Sequence, residues 1–193
     1  MNGEYLAEID DGLVSLKKQL DVVERIIMLI KDTDTVFICG NGGSASIASH
    51  FASDLQMRGG QRAISLTDNL PTLTAWANDT DYTHIFSQQI YSLARKGDVL
   101  ITLSGSGCSK NIIEACHAAT ALGLTTVAFV GYDGGVQKKH RGVLNIKELV
   151  HINATMLPCE AIFSVLTHYI ASTLDGERVA NNDLRTGTDN KCV

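Results

Sequence analysis

Leu6, Ile9, Leu13, Leu16, Leu20, Val23, Ile27 and Ile30 recur at alternating spacings of three and four. That period predicts one long helix over residues 4–31, carrying a narrow apolar seam of the kind that packs against another helix. Such a seam has two uses: it covers this chain's own sheet, or it builds a helical bundle between subunits. Its narrowness and length favour the bundle, because a core-facing helix carries a broader apolar face.

After residue 31, short apolar runs alternate with helical patterns. Strands are expected at 35–39, 62–66, 98–103 and 125–130, with a fifth from either 143–146 or 149–152. Helices are expected at 44–57, 71–77, 85–95, 110–122 and 158–174, the last with Pro158 in its first turn, where proline is tolerated. Strands that are apolar throughout and separated by helices imply an α/β fold, a five-stranded parallel sheet between two helical layers. Residues 1–175 then form one domain. Residues 176–193 are rich in Asn, Thr and Asp and are expected to form a flexible polar tail.

Bulk properties narrow the function classes. The 193 residues suffice for one domain with a sizeable core. The net charge of −5 gives no overall basic field for nucleic acid, and the cluster Lys138-Lys139-His140-Arg141 reads as a solvated loop. No apolar run approaches the length of a membrane span, and the N-terminal residues lack a signal-peptide pattern. Five cysteines without CxxC spacing suggest reduced thiols and a cytoplasmic protein, with Cys39, Cys116 and Cys159 as core filler.

Two glycine- and serine-rich runs stand at strand ends just before helices: Cys39-Gly40-Asn41-Gly42-Gly43-Ser44 and Ser104-Gly105-Ser106-Gly107-Cys108-Ser109. In a parallel sheet, loops at the carboxyl ends of strands form the ligand crevice. Gly42 and Gly43 let the backbone come close to a ligand, the helix N-termini offer unpaired N–H groups, and Ser44, Ser104, Ser106 and Ser109 add hydroxyl donors suited to a phosphate. Two other readings compete with this one. Gly40 to Ala45 formally satisfies G-x-G-x-x-A, but the acidic residue of a dinucleotide site is misplaced (Asp68 comes several residues late) and the second loop has no role there. Either loop also reads as a tight turn with no ligand.

The two loops, together with His50-Phe51-Ala52, Ala77-Asn78-Asp79 and Lys96-Gly97-Asp98-Val99-Leu100, resemble the sugar isomerase (SIS) domain, and more narrowly the sedoheptulose 7-phosphate isomerases. The likeness runs to about Leu174. It implies a homotetramer with active sites at subunit interfaces, conversion of sedoheptulose 7-phosphate to D-glycero-D-manno-heptose 7-phosphate, and, in some members, zinc at the active site. Carried over residue by residue, it puts phosphate contacts on Ser44, Ser104, Ser106 and Ser109, and sugar contacts on Asn41 and Asp79, beside Asn78. Arg58 matches an arginine following the catalytic helix, and His168 matches the second catalytic group. The base is a glutamate in the family and is Asp54 here. Glu160 stands for a glutamine, and Gly105 and Cys108 replace a threonine and an asparagine.

Aspartate is one methylene shorter than glutamate, which bears on its reach to a substrate proton. As metal chemistry, His50 and Asp54 lie four apart on one helix, and Glu160 and His168 eight apart on another, together offering two imidazoles and two carboxylates as a zinc set. The opposing reading makes His50 an ordinary packed histidine and Glu160 a first-turn carboxylate favoured by its own helix dipole. The expected reaction is aldose–ketose isomerisation through an enediol, with Asp54 as base and His168 as proton shuttle. A non-catalytic SIS scaffold that binds a protein partner, of the replication-initiator-associating type, and an isomerase of another sugar phosphate stand as alternatives.

Overall fold

The structure, a computed structural model, describes residues 2–186. Its elements run α1 (Asn2–Lys17), α2 (Leu20–Lys31), β1 (Val36–Gly40), α3 (Gly43–Met57), β2 (Ala63–Ser65), α4 (Leu70–Asp79), α5 (Ser87–Leu93), β3 (Val99–Ser104), α6 (Lys110–Leu122), β4 (Thr125–Val130), α7 (Gly135–Lys139), β5 (Ile146–His151) and α8 (Met156–Thr186). A 3-10 turn, Tyr82–His84, precedes α5. The five strands form one parallel sheet in the order β2-β1-β3-β4-β5. The expected α/β sandwich is present.

That order places the two glycine loops together. From β1 the chain moves outward to β2, crosses back to β3, and then moves outward the other way to β4 and β5. Connections therefore diverge between β1 and β3, the switch point where open α/β sheets bind ligands. Gly40 pairs in register with Leu103, so the loops after Gly40 and Ser104 leave the sheet side by side.

Side chains alternate across each strand. Val36, Ile38, Ile101 and Phe129 face one layer and pack with Ile26 and Ile30 of α2, Phe51 and Leu55 of α3, and Ile162, Phe163 and Leu166 of α8. Phe37, Cys39 and Leu100 face the other, with Phe86 and Ile90 around α5 and Ile112, Ala115 and Ala119 of α6. Each fully buried large side chain contributes about 1.5–3 kcal/mol of transfer free energy.

Three expectations are corrected. The helix over 4–31 is two helices, broken at Lys18-Gln19, because the Gln19 amide turns to the edge strand: Nε2 donates to His151 O at 2.9 Å and Oε1 accepts from His151 N at 3.0 Å. The seam splits accordingly. Leu16, Val23, Ile27 and Ile30 are buried in this chain's own core, while Leu6 is exposed. Secondly, residues 176–186 continue α8 instead of starting a tail. Glu177 pairs with Lys31 at 2.6 Å, and Arg178 Nη1 donates to the carbonyls of Met57 and Arg58 at the end of α3. Residues 187–193 of the expected tail lie outside the described residues. Thirdly, Lys138 and Lys139 sit on the short helix α7; the fifth strand, by contrast, takes in residues 149–151 of its second candidate and begins earlier, at Ile146. Among the described residues no helix is long and apolar enough to cross a membrane.

Candidate active site

Helices α3 and α8 lie side by side on one face of the sheet and build the first part of the site. Residues four apart share one helix face. His50 and Asp54 therefore point together from α3, and His168 meets them from α8. His50 Nε2 lies 3.0 Å from His168 Nε2, and Asp54 Oδ2 lies 3.5 and 3.7 Å from those two nitrogens. The imidazoles stand with 61% and 55% of their side chains exposed, edge to face, while the Asp54 carboxylate beneath them is 12% exposed. Arg58, one further turn along α3, brings Nε to 3.4 Å from Asp54 Oδ1 and Nη1 to 3.8 Å from Asp175. These side chains, with Ala171 and Ser172, line a cavity of about 220 Å³.

Of the four metal candidates, three converge: donor atoms of His50, Asp54 and His168 lie within 4.8 Å of one another. Glu160 is not among them. Its carboxylate sits on the N-terminus of α3, where Oε1 accepts from Ser44 N at 3.1 Å and lies 3.5 Å from Ser44 Oγ. Gly42, the residue before α3, has φ +57°, which favours glycine. Gly43 has a different constraint: a Cβ there would meet the Glu160 carboxyl carbon at 2.6 Å. Beside Glu160, burial and its neighbouring charge push the Cys159 thiol up to about 12, so it stays neutral. Ser44 and Glu160 thus meet at one end of the α3–α8 pair, and His50 and His168 meet about 9–12 Å further on, six and eight residues at 1.5 Å each.

The second loop is built differently. Ser104 Oγ accepts from Gly107 N at 3.1 Å and Ser106 Oγ from Cys108 N at 3.2 Å. Both hydroxyls keep their own proton to donate. Ser109 is the N-cap of α6, its hydroxyl makes no cap bond, and no acidic residue lies in the first turn. Gly107 adopts φ +61° and its carbonyl accepts from Gln137 N of α7, so the loop rests on the segment 131–135. Gly105 is the departure with a visible cause. A Cβ there would run into Met156 of α8. Met156 N donates in turn to Tyr132 Oη at 3.2 Å.

An amide pair ties the two loops together. Asn41 Nδ2 donates to Asn111 Oδ1 at 2.9 Å, and Asn111 Nδ2 donates back to Asn41 Oδ1 at 2.8 Å. Tyr82 Oη also donates to Asn41 Oδ1, at 3.1 Å. Asn78 and Asp79 are exposed at the end of α4, bonded to each other at 2.8 Å. Sequence reasoning missed Asn111, Tyr82, Tyr132 and Met156. Only the segment Gly131-Tyr132-Asp133-Gly134-Gly135, a third glycine-rich run at a strand end, carried a signal for any of them.

With this geometry, the comparisons with known proteins converge. The SIS domain model matches residues 4–131. The phosphoheptose isomerase of Helicobacter pylori (strain P12) is 42% identical over 70% of this chain and 75% of its own length. A probable phosphoheptose isomerase of Thermoplasma acidophilum is 35% identical over 84% and 90%. The solved phosphoheptose isomerase of Neisseria gonorrhoeae superposes with a TM-score of 0.81 at 30% identity, covering 90% of this chain and 97% of that one.

Proposed function

The chain belongs to the SIS domain family, and on that premise we propose that it is a phosphoheptose isomerase, converting sedoheptulose 7-phosphate to D-glycero-D-manno-heptose 7-phosphate in heptose biosynthesis. The observation that carries the chemistry is the convergence of His50, Asp54 and His168 in one cavity, about 9–12 Å along α3 and α8 from the Ser44–Glu160 junction. The second loop takes the phosphate, with Ser104, Ser106 and Ser109 hydroxyls and the free N–H groups of α6 as donors, while Ser44, also expected as a phosphate contact, already donates its N–H to Glu160.

Isomerisation needs a proton moved between two carbons and another between two oxygens. Asp54 removes the proton from C1 of the ketose and returns it to C2. His168 delivers a proton to O2 as the enediol forms and recovers one from O1 as the aldehyde forms, so each group ends as it began. Arg58 Nε, 3.4 Å from Asp54 Oδ1, helps to fix the orientation of that carboxylate. Asn41, clamped by Asn111, fixes the spacing of the two loops.

Two imidazole nitrogens and one carboxylate oxygen, with room for a further ligand, fit a catalytic zinc site, so His50, Asp54 and His168 would hold the ion. Zinc bound there supplies Lewis-acid polarisation of a carbonyl oxygen. The homotetramer remains part of the proposal. Exposed Tyr5, Leu6 and Val14 of α1 and Leu157, Val165 and Tyr169 of α8 support helical contacts between copies. The direct test is aldose formation from sedoheptulose 7-phosphate by the purified, zinc-supplied protein. Turnover is expected. No turnover with heptulose, pentulose or hexulose phosphates would overturn the enzyme reading.

A further inference from the structure

We infer that Glu160 is a specificity-determining residue: it fills the anion position at the N-terminus of α3, so that the chain takes a ligand with a single phosphate at α6 and presents hydroxyl groups, not a second anion, to α3. The inference rests on the sugar-phosphate reading above and adds to it which junction holds the charge.

The sheet brings two similar helix N-termini to its switch point. Each follows a glycine-bearing loop at a strand end, and neither has a side-chain cap or an acidic residue in its first turn. Left alone, both would attract an anion. At α3 this chain supplies its own. Glu160 reaches across from α8 to the Ser44 N–H, and the missing side chain at Gly43 leaves the space it occupies. A phosphate brought to the same N–H groups would stand at contact distance from a carboxylate. At α6, among the described residues, no carboxylate bonds to the helix N–H groups, the Ser109 hydroxyl has no cap bond, and Lys110 adds a positive charge that the nearby Asp81 carboxylate offsets only in part. A sugar hydroxyl, by contrast, is a natural partner for Glu160, because it donates to the carboxylate that a phosphate would be repelled by.

The test uses inorganic phosphate titrated into the isotope-labelled full chain, with backbone amide resonances followed by NMR. In the unmodified protein the amides of Ser109, Lys110 and Asn111 are expected to shift with phosphate, while those of Gly43 and Ser44 do not. In E160Q, which keeps the shape of the side chain, the Gly43 and Ser44 amides are expected to join the response and phosphate is expected to bind about tenfold tighter at that end, the scale of repulsion between close charges near a surface. Shifts of Gly43 and Ser44 at the same phosphate concentration as those of α6 in the unmodified protein would overturn the inference, as would unchanged or weaker phosphate binding at α3 in E160Q. If E160Q does not fold, the titration of the unmodified protein decides alone. The two readings fail separately: phosphate bound at α6 without turnover overturns the isomerase and leaves the role of Glu160 standing, whereas no phosphate response at either loop overturns both.

Discussion

The junctions β1–α3 and β3–α6 are alike in sequence and unlike in structure. Both are glycine- and serine-rich, both leave the sheet at its switch point, and each opens a helix without a side-chain cap. The first is closed by a carboxylate from another helix, and its own helix carries His50 and Asp54 two to three turns further on. The second keeps its donors free and rests on a glycine-rich segment and a methionine. The difference teaches that a loop's composition sets what it can offer, while the neighbouring helix decides whether the offer is already taken. Here the division separates chemistry, along α3 and α8, from charge, at α6.

The strongest way to break that division is at Asp54. D54N keeps the size of the side chain and removes the base, so kcat is expected to fall by about 10²–10⁴-fold with KM changed far less. A KM-dominated loss in steady-state assays would instead place Asp54 among the binding groups. Next in size is the packing beneath the second loop and the donor beside it, with the donor the larger. S109A removes one hydrogen bond to the phosphate at α6. A hydrogen bond to a charged group is worth about 1.5–3 kcal/mol, so KM should rise by about 10–150-fold while kcat holds. For S109A, an equal loss in kcat would place the phosphate end in the chemical step. G105T presses a side chain against the flexible thioether end of Met156, which can swing aside, and is expected to cost about 1 kcal/mol, read as a lower denaturant midpoint. Adding M156A should recover that loss; strict additivity would show that Gly105 is not dictated by Met156.

Much of this organisation is legible in the residues themselves. The strands show as uniformly apolar runs because a parallel sheet is buried on both faces, and the glycine loops show because they punctuate those runs. What escapes detection is every feature decided by a distant residue. Gln19 continues a helical pattern perfectly well; the break arises from its pairing with His151, far along the chain. Gly176 to Thr186 look like tail because they are polar, yet Arg178 and Glu177 find partners on α3 and α2. Glu160 reads from spacing as a ligand beside His168 or a cap of its own helix, and it caps α3 instead. The reciprocal Asn41–Asn111 bond has no local signature at all. Tyr132 differs from these, since the glycines on either side of it mark a third strand-end loop by composition alone.

The smallest expected effect tests whether the α8 side of the comparison is held in place from the N-terminal helix. Glu8 of α1 accepts from Thr155 N and Thr155 Oγ1, both at 2.7 Å, at the start of α8, the helix that carries Met156, Glu160 and His168. Those hydrogen bonds hold the Glu8 carboxyl below its usual value. A depressed folded-state value means that the stabilisation is full above the unfolded-state value and is lost as pH falls through the folded-state one. Glu8 is solvent-facing, so the contribution is small and screened by salt. Thermal melts of E8Q against the unmodified chain should therefore converge in acid and separate slightly at neutral pH, with the unmodified chain higher. If the gap instead widened toward acid, the contact would be stabilising the protonated side chain, and Glu8 would not be acting as the charged cap of α8.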